Sequence, residues 1–167
     1  MANVTFDGNR VSLVGEVPKV GDDAPEAVVV TTDLKEKQIG GAKNSVQLLI
    51  TVPSLDTPVC EAETKKFNEL LRDYKGVDAT VISMDLPFAG KRFCDSFGIN
   101  MDVASDYRYR GLEKYGVLIG DGILKGLCAR AVFIVDKNGK IAYVQLVPEI
   151  TDEPNYDEVL KALNDLS

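Results

Sequence analysis

The seven residues Val46 to Val52 are apolar apart from Gln47 and Thr51, too short a run for a buried helix and rich in β-branched side chains. Such a run suits a central strand buried on both faces. The segment after it, Thr57 to Tyr74, has the spacing of an amphipathic helix. Val59, Ala62, Phe67, Leu70 and Leu71 form its core-facing stripe, against Glu61, Lys65, Lys66, Glu69 and Arg72. Thr80 to Met84 reads as the next strand, so strand, helix, strand makes a crossover unit.

Between strand and helix lies Pro53-Ser-Leu-Asp-Thr57-Pro58-Val-Cys60-Glu61. Thr57 suits the N-cap, and Pro58 then falls at N1, where its missing N–H costs nothing. Cys60 lands at N3, beside the free amides and the positive end of the helix dipole, a setting that lowers a thiol pKa. This is a way to make a thiolate without histidine, and the chain has none. Its absence rules out Ser-His-Asp triads, Cys-His protease pairs and His-containing zinc or haem sites. Three cysteines are too few, and odd in number, for a secreted disulfide scaffold. They are either inert core residues or redox groups.

The remaining pattern completes an α/β chain. Val4-Thr-Phe6 and Arg10-Val-Ser12 flank the turn Asp7-Gly8-Asn9, predicting an N-terminal β-hairpin. Residues 17–25 read as an irregular crossing segment, Ala27 to Thr31 as a strand, and Lys35 to Lys43 as a loop or weak strand. Asp85-Leu86-Pro87 opens a second helix, with Ala89, Phe93 and Phe97 at i, i+4, i+8, Cys94 among them and Gly98 as its stop. Residues 99–106 read as a loop, Arg110 to Tyr115 as a short helix, and Gly120 to Gly126 as a glycine-punctuated loop. Ala131 to Val135 and Ile141 to Leu146 are strands around Asp136-Lys-Asn-Gly139, and Asn155 to Leu166 has helical spacing. The expectation is one domain over 1–167, a mixed sheet with helices on both faces.

A formal charge of −7 argues against nucleic acid or an anionic membrane surface as partner. Arg108 and Arg110, interleaved with Tyr107 and Tyr109, read as a solvated helix start within an acidic chain. No apolar run reaches transmembrane length and the N-terminus lacks a signal-peptide pattern, so a soluble, cytoplasmic protein is expected.

Pro53-x-x-x-Thr57-x-x-Cys60 is similar to the active-site signature of peroxiredoxins. Phe88-Ala-Gly-Lys-Arg-Phe-Cys94, Asp121-Gly-Ile-Leu-Lys-Gly126, Arg130 and the tail Glu149-Ile-Thr-x-Glu-Pro154 resemble the thiol peroxidase subfamily over essentially the whole chain. The resemblance implies a thioredoxin-like fold and thiol-dependent reduction of hydroperoxides without metal or cofactor. It makes Cys60 the peroxidatic cysteine, Thr57 and Arg130 its activating partners, Pro53 the shield of the site and Cys94 the resolving cysteine. The disulfide would form within one chain, thioredoxin would reduce it, and the protein would be a homodimer. The sequence departs from the family at Cys128, where relatives carry a small apolar residue, and at Ile123, where the related loop commonly has proline. Cys128, two residues before Arg130, is expected on the same strand face, as a packed side chain or as a competing disulfide partner.

Magnitudes order these roles. A thiol with pKa about 8.5 is a few per cent ionised at pH 7, so full ionisation gains about thirtyfold, under about 2 kcal/mol. The larger contribution must stabilise charge on the leaving oxygen, a task that suits the fixed fork of Arg130. Cys94 lies 34 positions beyond Cys60 on another helix, and a disulfide needs Cα atoms within about 7 Å. Local unwinding around both cysteines is therefore expected during turnover. A thioredoxin-type oxidoreductase would need cysteine at Glu63, and a Cys-x-x-x-Cys metal site would need it at Thr64. A non-catalytic peroxide sensor would use the same residues as the enzyme. An apolar rim from Leu55, Phe88 and residues 117–127 would favour organic hydroperoxides.

Overall fold

Residues 3–166 are described by a computed structural model. Ten strands appear in chain order: β1 (Asn3–Phe6), β2 (Asn9–Val14), β3 (Ala27–Thr31), β4 (Glu36–Ile39), β5 (Val46–Thr51), β6 (Val77–Ser83), β7 (Asp102–Ser105), β8 (Leu118–Ile119), β9 (Ala131–Val135) and β10 (Ile141–Leu146). The α-helices are α1 (Pro58–Leu70), α2 (Pro87–Phe97) and α3 (Tyr156–Asn164). Seven strands form a mixed sheet in the order β10-β9-β5-β6-β7-β3-β4, with β5 near its middle as the apolar run requires. The β5–β6 and β6–β7 pairs are parallel and the others antiparallel.

Alternation along β5 divides the core. Leu48 and Ile50 face one cluster with Phe67 of α1, Phe93 of α2 and Val159 of α3. Leu49 faces the other, with Val4 and Leu13 of the hairpin and Leu112 and Tyr115 of a 3₁₀ helix over Gly111–Tyr115. The three α-helices thus share one face, and the second is covered by the 3₁₀ turn and the small sheet β1-β2-β8. In that hairpin Phe6 pairs with Asn9, leaving Asp7 and Gly8 as a two-residue turn with φ of 51° and 83°. Positive φ at both positions matches the right-handed twist of the flanking strands.

Several expectations shift. Residues 99–106 contain a strand, β7, paired with both β6 and β3; four residues are too few for alternation to register. Asp85 does not cap α2, whose N-cap is Leu86. Its carboxylate instead accepts hydrogen bonds from Ser54 Oγ (2.9 Å), Leu55 N (2.7 Å) and Ser83 Oγ (2.8 Å), tying the loop before α1 to the end of β6.

The largest correction concerns α1. Its buried residues are Cys60, Glu63, Thr64 and Phe67, while Ala62 is exposed and Val59 and Leu70 are half-buried. The helix is rotated from its most apolar face. Two polar residues go inside because Thr64 Oγ donates to the Cys60 carbonyl (2.8 Å) and Glu63 meets a cation. Phe67 anchors this face, edge-on against Tyr156 with centroids 5.0 Å apart. Phe67→Ala should cost about 3–5 kcal/mol in urea unfolding. Phe97→Ala, at a ring 39% exposed on α2, should cost less than about 1 kcal/mol; equal losses would contradict this assignment of the core.

Candidate active site

The sequence at the start of α1 folds as its residue types dictate. Thr57 has extended φ and ψ, its Oγ accepts from Cys60 N (3.3 Å), and Pro58 opens the helix. The same hydroxyl donates to the Ser54 carbonyl (3.0 Å). Its proton is therefore engaged, and the hydroxyl meets a ligand as an acceptor through its remaining lone pair. Pro53 is buried at the head of this loop.

Arg130 stands immediately before β9 and is 2% exposed. Its Nη1 lies 3.3 Å from Cys60 Sγ and 2.7 Å from Glu63 Oε1, and its Nε donates to the Ile150 carbonyl (2.9 Å). Val147 N donates to the Arg130 carbonyl (3.0 Å), so residues 147–150 grip both backbone and side chain. Among the described residues Nη2 has no hydrogen-bond partner and remains free for an incoming oxygen. Burial pulls the Arg130 pKa down, and the charges and hydrogen bonds of Cys60 and Glu63 more than reverse it, holding the guanidinium above its ordinary value.

Cys60 exposes no surface, so a reacting oxygen meets its sulfur and Arg130 away from bulk water, where charge interactions strengthen. What converges is a cysteine in the first turn of a helix, a fixed cation on its sulfur and a spare guanidinium corner beside it. That set can stabilise a thiolate and an oxyanion formed next to it.

The Redoxin family matches residues 19–160. A thiol peroxidase of Aquifex aeolicus is 70% identical over 98% of this chain and 97% of its own, and one of Campylobacter jejuni is 50% identical over 93% and 89%. The chain belongs to the thiol peroxidase branch of the redoxin family. A crystal structure of a peroxiredoxin-like protein from Aquifex aeolicus superposes with a TM-score of 0.98, at 68% identity and covering 100% of this chain and 98% of that one. A thiol peroxidase from Chromobacterium violaceum shares the fold, with a TM-score of 0.88 at 20% identity over 99% and 97%.

The other thiols of this thiol peroxidase fold stand apart. Cys94 lies in the last turn of α2, half-buried, with its carbonyl accepting from Gly98 N and Ile99 N. It packs against the same apolar cluster as Cys60, and both are free thiols. Burial first, then Asp95 and Asp102 against Lys91, pushes the Cys94 thiol up. Cys128 belongs to the opposite cluster and bridges Leu118 before β9 begins, so strand alternation does not carry it to the Arg130 face. Its burial and the nearby Asp106 and Asp85 push its thiol up as well, the signature of a packed side chain. Of the expected apolar rim, Phe88 is 68% exposed, but Leu55 is buried. Residues 117–119 pack on the hairpin side of the sheet, and Ile123 is exposed.

Glu63 is the residue that sequence reasoning passed over, weighed only as the missing second cysteine of a Cys-x-x-Cys pair. Its position, i+3 from Cys60, put it on the cysteine's own helix face. It exposes no surface, and Oε2 has no hydrogen-bond partner. Burial, opposed by Arg130, raises its pKa from 4.5 to about 7. A carboxyl that binds its proton more tightly folded than unfolded contributes fully below about pH 4.5, and that contribution is lost as pH rises through 7. Between those values the wild type should lose on the order of 1–3 kcal/mol relative to Glu63→Gln. Urea titrations at the two ends of the window test this; parallel pH profiles for the two proteins would refute it.

Proposed function

We propose that this thiol-dependent peroxidase works as one catalytic domain in which Cys60 attacks the hydroperoxide and Cys94 resolves the product. The observation that carries the reading is Arg130 Nη1 at 3.3 Å from the sulfur of a first-turn cysteine. The Cys60 thiolate attacks the terminal peroxide oxygen, the S–O bond forms and the O–O bond breaks. The departing oxygen takes up negative charge beside the spare Nη2 corner and leaves as water or an alcohol once protonated. Thr57 accepts from the peroxide O–H, and Pro53 helps close the site from water. The sulfenic acid on Cys60 then condenses with the Cys94 thiol, releasing water.

Formation of that disulfide requires the first turn of α1 and the end of α2 to open. Thr57 and Thr64 hold the backbone of Cys60 and Gly98 closes α2, while Cys94 stays a raised, largely protonated thiol as long as its segment is packed. Thioredoxin as reductant, a homodimeric assembly and a cytoplasmic location complete the proposal, all supported by the family resemblance. Among the described residues no helix is long and apolar enough to cross a membrane.

Steady-state NADPH consumption with thioredoxin, its reductase and either hydrogen peroxide or an organic hydroperoxide tests the reading. Cys60→Ser should have no activity, and Cys94→Ser should reduce one equivalent of peroxide without recycling. Stoichiometric oxidation of the wild type without turnover would favour the peroxide sensor instead. Amide exchange around Cys60 and Cys94 should be faster in the disulfide form; equal protection in both redox forms would exclude the opening.

A further inference from the structure

Glu63 has no task in the reaction as described, although it touches the same nitrogen as the nucleophile. Cys60 and Glu63 lie one turn apart on α1, and Arg130 Nη1 donates to both. The charged and titratable groups facing this carboxyl are Cys60 on its own helix, Arg130 before β9, and Glu153 and Tyr156 at the start of α3. Tyr156 Oη donates to Glu153 (2.5 Å), so Arg130 is the single cation of the set. With thiolate and carboxylate both ionised, the enclosed trio would carry a net negative charge and an unpartnered carboxylate oxygen, Glu63 Oε2. Both are expensive in a dry site. With one proton held between the two acids, the trio is neutral.

We infer that Glu63 is a positioning residue that stores the proton of the active site, neutral while Cys60 is a thiolate and ionised once that thiolate is consumed. Resting on the assignment of Cys60 as the attacking thiol, the inference supplies the proton missing from the reaction above. Thiolate, hydroperoxide and neutral carboxyl give sulfenic acid, alcohol or water, and carboxylate: the leaving oxygen gains the proton and the net charge is conserved. Arg130 then passes from sulfur to Glu63 without ever being left unpaired. Reduction of the disulfide restores the thiolate, and Glu63 takes its proton back from solvent. The raised pKa of the buried carboxyl, about 7, agrees with a group poised to do both.

Two measurements on the whole chain test this. Infrared difference spectra of the reduced wild type should show a protonated-carboxyl band near neutral pH that vanishes when Cys60 is alkylated, because Glu63 then ionises onto Arg130. Ultraviolet thiolate absorbance, taken as the difference from Cys60→Ser, should show Glu63→Gln, whose amide stands in for the neutral carboxyl, forming its thiolate over the same pH range as wild type. A carboxyl already ionised beside the thiol would instead leave the variant with about tenfold more thiolate than wild type below the midpoint. A carboxyl band indifferent to alkylation, or a thiolate that forms at clearly lower pH in Glu63→Gln than in wild type, would overturn the inference. The infrared result decides the matter even if the variants fold poorly. Retained peroxide turnover in Cys60→Ser would instead overturn the parent assignment.

Discussion

A guanidinium 2% exposed at the entrance to β9 is the constraint around which the surrounding structure is arranged. An unpaired charge at that depth costs several kcal/mol, so the chain has to bring acceptors to it. Ile150 supplies a carbonyl, Glu63 a carboxylate oxygen and Cys60 its sulfur. The demand reaches back to α1, which turns away from its most apolar face to deliver Cys60 and Glu63 together. It also reaches the N-terminal hairpin. Glu149, next to the carbonyl that holds Arg130, accepts from Thr5 Oγ, Asp7 N and Gly8 N, and its bonds to Thr151 and Gly8 hold its pKa at about 2.

In the proposed cycle the interactions that activate Cys60 also oppose its regeneration. The Thr57 cap, the Thr64 bond to the Cys60 carbonyl and the Arg130 contact hold the sulfur in place, and under that proposal the same interactions give way before Cys94 arrives. Oxidation weakens the strongest of them, since a neutral sulfenic acid holds a guanidinium less well than a thiolate. Glu63 can take over Arg130 at that moment, so the first turn loses its electrostatic anchor without leaving a buried cation unpaired. Activation and release are thus two states of one charge balance.

Much of this was legible in the chain itself. The run at Val46 to Val52, the Thr57-Pro58 helix start, Gly98 as a stop and the strands around Asp136 to Gly139 each have a local physical cause, and each stands where that cause puts it. Thr57, Cys60 and Arg130 lie together, with Thr57 Oγ on Cys60 N and Arg130 Nη1 on the sulfur. The misses have separate origins, since apolar character does not by itself decide which face of a helix is buried, and local rules for caps and alternation yield to tertiary partners. On α1 the contacts of Cys60 and Glu63 with the buried Arg130 outweigh Val59 and Ala62, and Asp85 serves a neighbouring loop in place of its own helix. Cys128 is the packed side chain expected, but it lies before β9, so strand alternation does not set its side of the sheet. Short strands such as β7 and β8 exist only through their partners, and no periodicity reports them.

In the proposed reaction Arg130 acts mainly on the charge of the leaving oxygen, with ionisation of Cys60 the smaller share. Single-turnover oxidation of Cys60 by hydrogen peroxide in Arg130→Gln, followed from neutral to high pH, tests it directly. A loss of about 10²–10³ in rate is expected, persisting at a pH where the thiolate is fully formed. A loss no greater than about thirtyfold, restored at high pH, would show instead that ionisation alone is what Arg130 provides.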